Sequence, residues 1–152
     1  MNTRAHVHRE RFDVSPERIF ALLITPSAIR SWWGAARAIV VPGTGGVWAA
    51  TWGADEDDPD YTTVATIQVF EPPRRLVLAD YRYRAKTPSA PFELDFTTSF
   101  TVEPAAGGCE LTVEQDGFPC TADGDEFLQR CDQGWRATFA GIRAHLASPR
   151  KR

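Results

Sequence analysis

The strongest constraint in this sequence is a single apolar stripe close to its end. Phe127, Cys131, Trp135, Phe139, Ile142 and Leu146 recur at spacings of four, four, four, three and four. That periodicity predicts one helix over about Gly124 to Leu146 with one face to bury. The chain upstream offers a matching partner. Phe92, Leu94, Phe96, Thr98, Phe100 and Val102 alternate with polar or small residues, the period of a strand with one buried face. A helix with one apolar face and strands with one apolar face satisfy each other when the helix lies across the sheet.

Strand-like segments are predicted at Ala5 to Val14, Ala38 to Val41, Val47 to Trp52, Tyr61 to Phe70, Arg75 to Arg84, Phe92 to Val102 and Cys109 to Gln115. Clusters such as Pro42-Gly43-Thr44-Gly45-Gly46, Glu71-Pro72-Pro73-Arg74 and Lys86-Thr87-Pro88-Ser89-Ala90-Pro91 separate them as turns. Ser15-Pro16-Glu17 is a helix start, with a capping hydroxyl, a proline suited to the first turn and an acid at the positive end. Thr25-Pro26-Ser27 breaks that helix and begins another, which ends near Trp32-Trp33-Gly34. The predicted class is α+β: a curved antiparallel sheet of about seven strands wrapped on a long C-terminal helix, with two short helices after the first strand. At 152 residues this is one domain, with a core from about residue 5 to 147.

Bulk properties exclude some partners. The formal net charge is −3, whereas nucleic-acid and membrane-surface proteins need a basic field; no nucleic acid is expected. The basic Pro149-Arg150-Lys151-Arg152 reads as a solubilising tail. No segment reaches the ~20 apolar residues that span a bilayer, and the first residues have no apolar signal core. Cys109, Cys120 and Cys131 are odd in number and have no paired spacing, so free thiols and a cytoplasmic setting are expected.

Aromatic residues make up 11% of the chain. Under the long helix, Phe127, Cys131, Trp135 and Phe139 would face Trp48, Trp52, Tyr81, Tyr83 and Phe96 on the sheet, with Trp32 and Trp33 closing one end. Each ring by itself is more often core packing than pocket wall. Asp116-Gly117-Phe118-Pro119 precedes the helix, and a mobile gate at a cavity mouth is expected there unless the segment is packed.

His6, His8, Glu10 and Phe12 alternate and share a strand face. With Phe12 in the core, His8 and Glu10 turn inward, as an acid/base pair or a polar anchor; a bulged or frayed strand end would leave them solvated. His6 and His8 have no clear third ligand, so no metal is expected, nor any cofactor. The Asp55-to-Asp60 acids lack the spaced ligands and central glycine of a calcium loop. No Gly-x-Ser-x-Gly elbow is present, and Cys131 on an apolar stripe should be a poor nucleophile.

Arg11-Phe12-Asp13-Val14-Ser15-Pro16-Glu17-Arg18-Ile19-Phe20, Thr25-Pro26 with Ile29, Trp32-Trp33-Gly34, Gly45-Gly46, Phe70-Glu71-Pro72-Pro73-Arg74-Arg75-Leu76 and Gly134-Trp135 carry a resemblance in order and spacing. The chain resembles the START/SRPBCC superfamily, the helix-grip fold of the birch-pollen allergen. Within it, the chain resembles the family named after the activator of the heat-shock-protein-90 ATPase. The superfamily resemblance implies a cavity between sheet and helix, and with it a small hydrophobic or aromatic ligand. It also implies an alternative, a polyketide-cyclase or hydrolase-type enzyme using His8, Glu10, Tyr81 or Tyr83 to polarise a carbonyl. A chaperone-associated interaction domain is the third reading. The eponymous co-chaperone carries a separate N-terminal domain that has no counterpart here, which argues against a chaperone partner. An edge strand leaves a homodimer open.

Overall fold

The computed structural model describes residues 2–86 and 96–148. Phe92 and Leu94, most of the connection after Lys86 and the basic tail lie outside the described residues. In chain order the elements are β1 (Thr3–Phe12), α1 (Pro16–Ile24), α2 (Pro26–Trp32), β2 (Arg37–Val40), β3 (Val47–Trp52), β4 (Tyr61–Glu71), β5 (Arg75–Ala85), β6 (Thr97–Ala105), β7 (Gly108–Pro119) and α3 (Ala122–Ala147). The seven strands form one curved antiparallel sheet in the order β1-β7-β6-β5-β4-β3-β2. From β2 to β7 each strand pairs with the next in sequence, and β1 adds beside β7. This is the α+β architecture the patterns predicted.

Local chemistry sets the helix ends. The Ser15 hydroxyl accepts from the Arg18 amide at 3.2 Å, and Pro16 and Glu17 follow it. Thr121 caps α3 by accepting from the Gly124 amide at 3.1 Å, ahead of Asp123 and Asp125 in the first turn. The last carbonyls of α1 have no partners within the helix, and side chains supply donors. Thr25 Oγ1 donates to Ala21, Trp32 Nε1 to Leu22 at 2.8 Å, and Trp48 Nε1 to Leu23 at 3.0 Å. Trp32 and Trp48 are therefore committed to the end of α1, with 3% and 2% exposure.

The core lies between the concave sheet face and the helices. Ile19, Leu23, Ile29, Ile67, Leu76, Leu111, Val113, Phe139 and Ile142 are fully buried in it. Asp116 to Pro119 is a correction to the expected gate. The segment is the end of β7, where Phe118 and Pro119 pair with Arg4 and Thr3, and Phe118 is 0% exposed against Phe96 and Phe127. A fully buried ring held by strand pairing cannot serve as a mobile lid.

Candidate cavity between the long helix and the sheet

The first half of α3 stands off from the β3–β5 end of the sheet and leaves an open cavity of about 570 Å³. Phe127, Arg130, Cys131 and Gly134 come from α3, one turn after another on one side of the helix. Tyr61 and Thr63 on β4, Tyr83 on β5, Trp52 on β3 and Trp33 after α2 form the opposite wall. The apolar stripe thus splits. Phe127 and Cys131 face the cavity, whereas Trp135, Phe139 and Ile142 are buried in the core.

All five tryptophans of the chain meet at Trp33. Its ring stacks on Trp32 at 5.0 Å and 19°, and contacts Trp48 at 5.4 Å, Trp52 at 5.8 Å and Trp135 at 5.3 Å. Four of the indole N–H groups have acceptors: Leu22, Leu23, the carbonyl of Trp33 itself for Trp52, and Gln115 for Trp135. Among the described residues the indole nitrogen of Trp33 has none. The residue at the centre of the cluster is thus also the one with an unused donor.

Inward of the cavity wall a polar line crosses the apolar interior. Tyr81 donates its hydroxyl to Thr98 Oγ1 at 2.7 Å, Gln115 Nε2 donates to the same oxygen at 3.2 Å, and Trp135 Nε1 donates to Gln115 Oε1 at 2.8 Å. Burial drives the Tyr81 phenol well above its ordinary range, and the Thr98 bond only partly offsets this. Tyr81 is thereby a neutral hydrogen-bond donor. Burial also pushes the Cys131 thiol up to about 11, against a smaller lowering influence from Arg130. Cys131 is a protonated wall residue, in the direction its apolar stripe predicted.

His8 and Glu10 do share the inward face of β1, but they lie beneath α3 and outside the cavity lining. His8 Nε2 lies 2.7 Å from Glu10 Oε2, and its ring meets Phe139 edge-on at 4.9 Å. Arg143 of α3 donates to Glu10 Oε1 at 2.8 and 3.0 Å and covers the Phe12 ring at 4.5 Å. Burial works to raise the Glu10 pKa; the hydrogen bonds from His8 and Arg143 outweigh it, and the net shift is downward. Two residues earlier on the strand, His6 Nε2 sits 2.7 Å from Asp132 Oδ1. The Asp132 carboxyl is lowered by Arg136 first and His6 second, and facing an ionised carboxylate the imidazole is the donor. These contacts fasten β1 to α3.

Of the residues singled out from sequence, the cavity gathers Trp33, Trp52, Tyr83, Phe127 and Cys131. Trp32, Trp48, Phe118, Trp135 and Phe139 are in the interior, Tyr81 is in the polar line, and Phe96 stacks on Phe127 at 5.9 Å. Tyr61, Thr63, Arg130 and Gly134 were not anticipated. The signal for the last two was present, since 127, 130, 131 and 134 are successive positions of one helical face.

The family model described as Activator of Hsp90 ATPase homolog 1-like protein matches residues 13–147. No curated protein matches the sequence. Protein MLL2253 from Mesorhizobium loti superposes with a TM-score of 0.73 at 22% identity, covering 94% of this chain and 96% of that one. CalU16 from Micromonospora echinospora gives 0.69 at 17% identity, over 95% of this chain and 77% of that one. An HSP90 activator from Plasmodium falciparum gives 0.70 at 15% identity, over 97% and 99%. At these identities the structures share the fold.

Proposed function

The chain belongs to the Activator of Hsp90 ATPase homolog 1-like family, and on that premise we propose that it is a binding module for a small aromatic or otherwise apolar molecule. The ligand occupies the cavity between α3 and the β3–β5 end of the sheet. One observation carries this reading: a space of about 570 Å³ is left open where Trp33, Trp52, Tyr61, Tyr83 and Phe127 converge. That volume is in the range of small-molecule sites, which are concave and largely walled by apolar and aromatic groups.

The His8–Glu10 pair does not line this space, so the reading is of binding and not of turnover at that pair. Native mass spectrometry of the protein as purified, compared with the denatured chain, tests it. A mass released on denaturation is the expected result and would identify the ligand class. A bare chain mass, together with no saturable binding of small aromatic compounds up to millimolar concentration, would sink the proposal and favour a role through the outer surface.

A further inference from the structure

The sheet ends in two edge strands, β1 and β2, and they are built differently. β1 turns Arg4, Arg9 and Arg11 to solvent, the charge that natural sheets use to keep an edge unpaired. Residues 38–54, which include most of β2 and all of β3, contain no charged residue. On the solvent face of that hairpin Ile39, Val41 and Val47 are 64%, 53% and 38% exposed. We propose that β2 is the seam of a symmetric dimer, in which the β2 strands of two copies pair antiparallel about Ile39. The cavity reading plays no part in this.

The backbone of β2 fits a second copy of itself. The Val41 amide donates to the Val47 carbonyl at 2.8 Å, in the register that sets Ile39 against Ala49 and Arg37 against Thr51. Antiparallel ladders alternate, so Arg37, Ile39 and Val41 spend their backbone groups on β3. The N–H and C=O groups of Ala38 and Val40 therefore point away from the sheet, and among the described residues they have no partner. Their side chains pack inward on the core. Setting Ala38 opposite the other copy's Val40 makes four hydrogen bonds, and the two-fold axis then passes between the two Ile39 residues. Theirs is the non-hydrogen-bonded kind of pair, with side chains closest.

Charge favours the same occupant. Arg37 is the one charge on the strand, and it is paired with Glu56 of its own chain. The two-fold lays Arg37 beside the other copy's Val41, and the acidic loop from Asp55 to Asp60 beside the other copy's uncharged turn, residues 42–46. No like charges meet, and an uncharged strand faces an uncharged strand. The seam is four residues long, well short of the roughly 800 Å² per partner of a standard interface, so the association is weak and reversible.

Sedimentation equilibrium from about 10 µM to about 1 mM should show the average mass rising from one chain toward two, as a small interface requires. Ala38→Pro deletes an outward N–H that the fold does not use, and with it two of the four bonds; it should weaken the dimer at least about tenfold. Val47→Lys lies one strand in from the edge and should leave the dimer within about threefold. With exposed Cys120 changed to Ser, Ile39→Cys should form an inter-chain disulfide on mild oxidation, and Val41→Cys should not, because only the pair on the axis is close enough. Circular dichroism confirms the fold of each variant. A chain that stays monomeric throughout the range overturns the proposal and leaves the edge to a strand from another protein. A dimer that Val47→Lys abolishes and Ala38→Pro spares is a stacking of solvent faces, and overturns it too, as does equal cross-linking at positions 39 and 41.

Discussion

Gly141 packs so closely on the carbonyl oxygen of Trp32 that a Cβ there would overlap it. This is where α3 meets the end of α2. Gly134, two turns earlier on the same helix, has nothing within 4 Å of the place a Cβ would occupy, and it faces the cavity. One glycine permits two backbones to touch; the other borders empty space. The close approach is to α2.

Gly141→Ala should therefore destabilise the fold by about 1–3 kcal/mol, as overpacking does. Gly134→Ala should stabilise it by about 0.5–1 kcal/mol, the helix-propensity difference. Urea unfolding midpoints decide this. Shifts of the same sign in both variants would contradict the assignment.

Trp48→Phe removes a ring edge from the core and the donor to Leu23. A loss of about 2–4 kcal/mol is expected, from a small cavity plus an orphaned helix carbonyl. Trp52→Phe, whose indole is half-buried and donates at 3.2 Å, should cost less. The same unfolding curves rank the two.

Thr98→Val would leave the Tyr81 hydroxyl and the Gln115 amide without their shared acceptor, at a cost of about 1–3 kcal/mol. Adding Tyr81→Phe should recover part of that loss, since one of the stranded donors is then gone. A double-mutant cycle measures the coupling. Strict additivity would mean that the line is not a network.

Glu10 and Asp132 both titrate below their ordinary values of 4.5 and 3.8 in the folded chain. Their contribution is complete above those values and is lost as pH falls through the lower folded ones. Stability measured from pH 7 down to pH 2 should fall in that acid window. Glu10→Gln should be less stable at pH 7 and show a shallower acid limb. An unchanged limb would remove Glu10 from the account.

Iodoacetamide at pH 8 should label exposed Cys120 well before Cys131, whose pKa near 11 leaves roughly a thousandth of it as thiolate. Labelling of Cys131, read by peptide mass mapping, should rise about tenfold per pH unit up to pH 10 while the fold holds. Comparable rates for the two thiols at pH 8 would refute the half-buried, protonated assignment.

Periodicity made the helix and the sheet legible, because burying one face leaves a repeat that can be counted. It could not show that the α3 stripe divides between core and cavity, which depends on how the sheet curves away from the helix. Trp32 and Trp33 are equivalent in sequence; only the need of α1 for donors at its final carbonyls separates them. The face shared by His8 and Glu10 was readable from alternation. Arg143, which claims Glu10 from 133 residues away, was not, since nothing local points to it. Tyr61 and Thr63 went unnoticed among neighbouring Thr62 and Val64, which suit a strand equally well.

The strand order has a consequence for how the chain is made. Synthesis produces β1 first, yet its pairing strand is β7, and the helix fastened to it follows β7. Strands β3 to β7 can each form a hairpin with the strand made just before, whereas β1 must wait for almost the whole domain to find its partner. A waiting strand is a template for wrong partners, and charge along it is a known safeguard. Arg4, Arg9, Glu10 and Arg11 supply that charge on β1. Side chains that fasten the finished domain would then also keep its earliest strand out of aggregates while its partners are still on the ribosome.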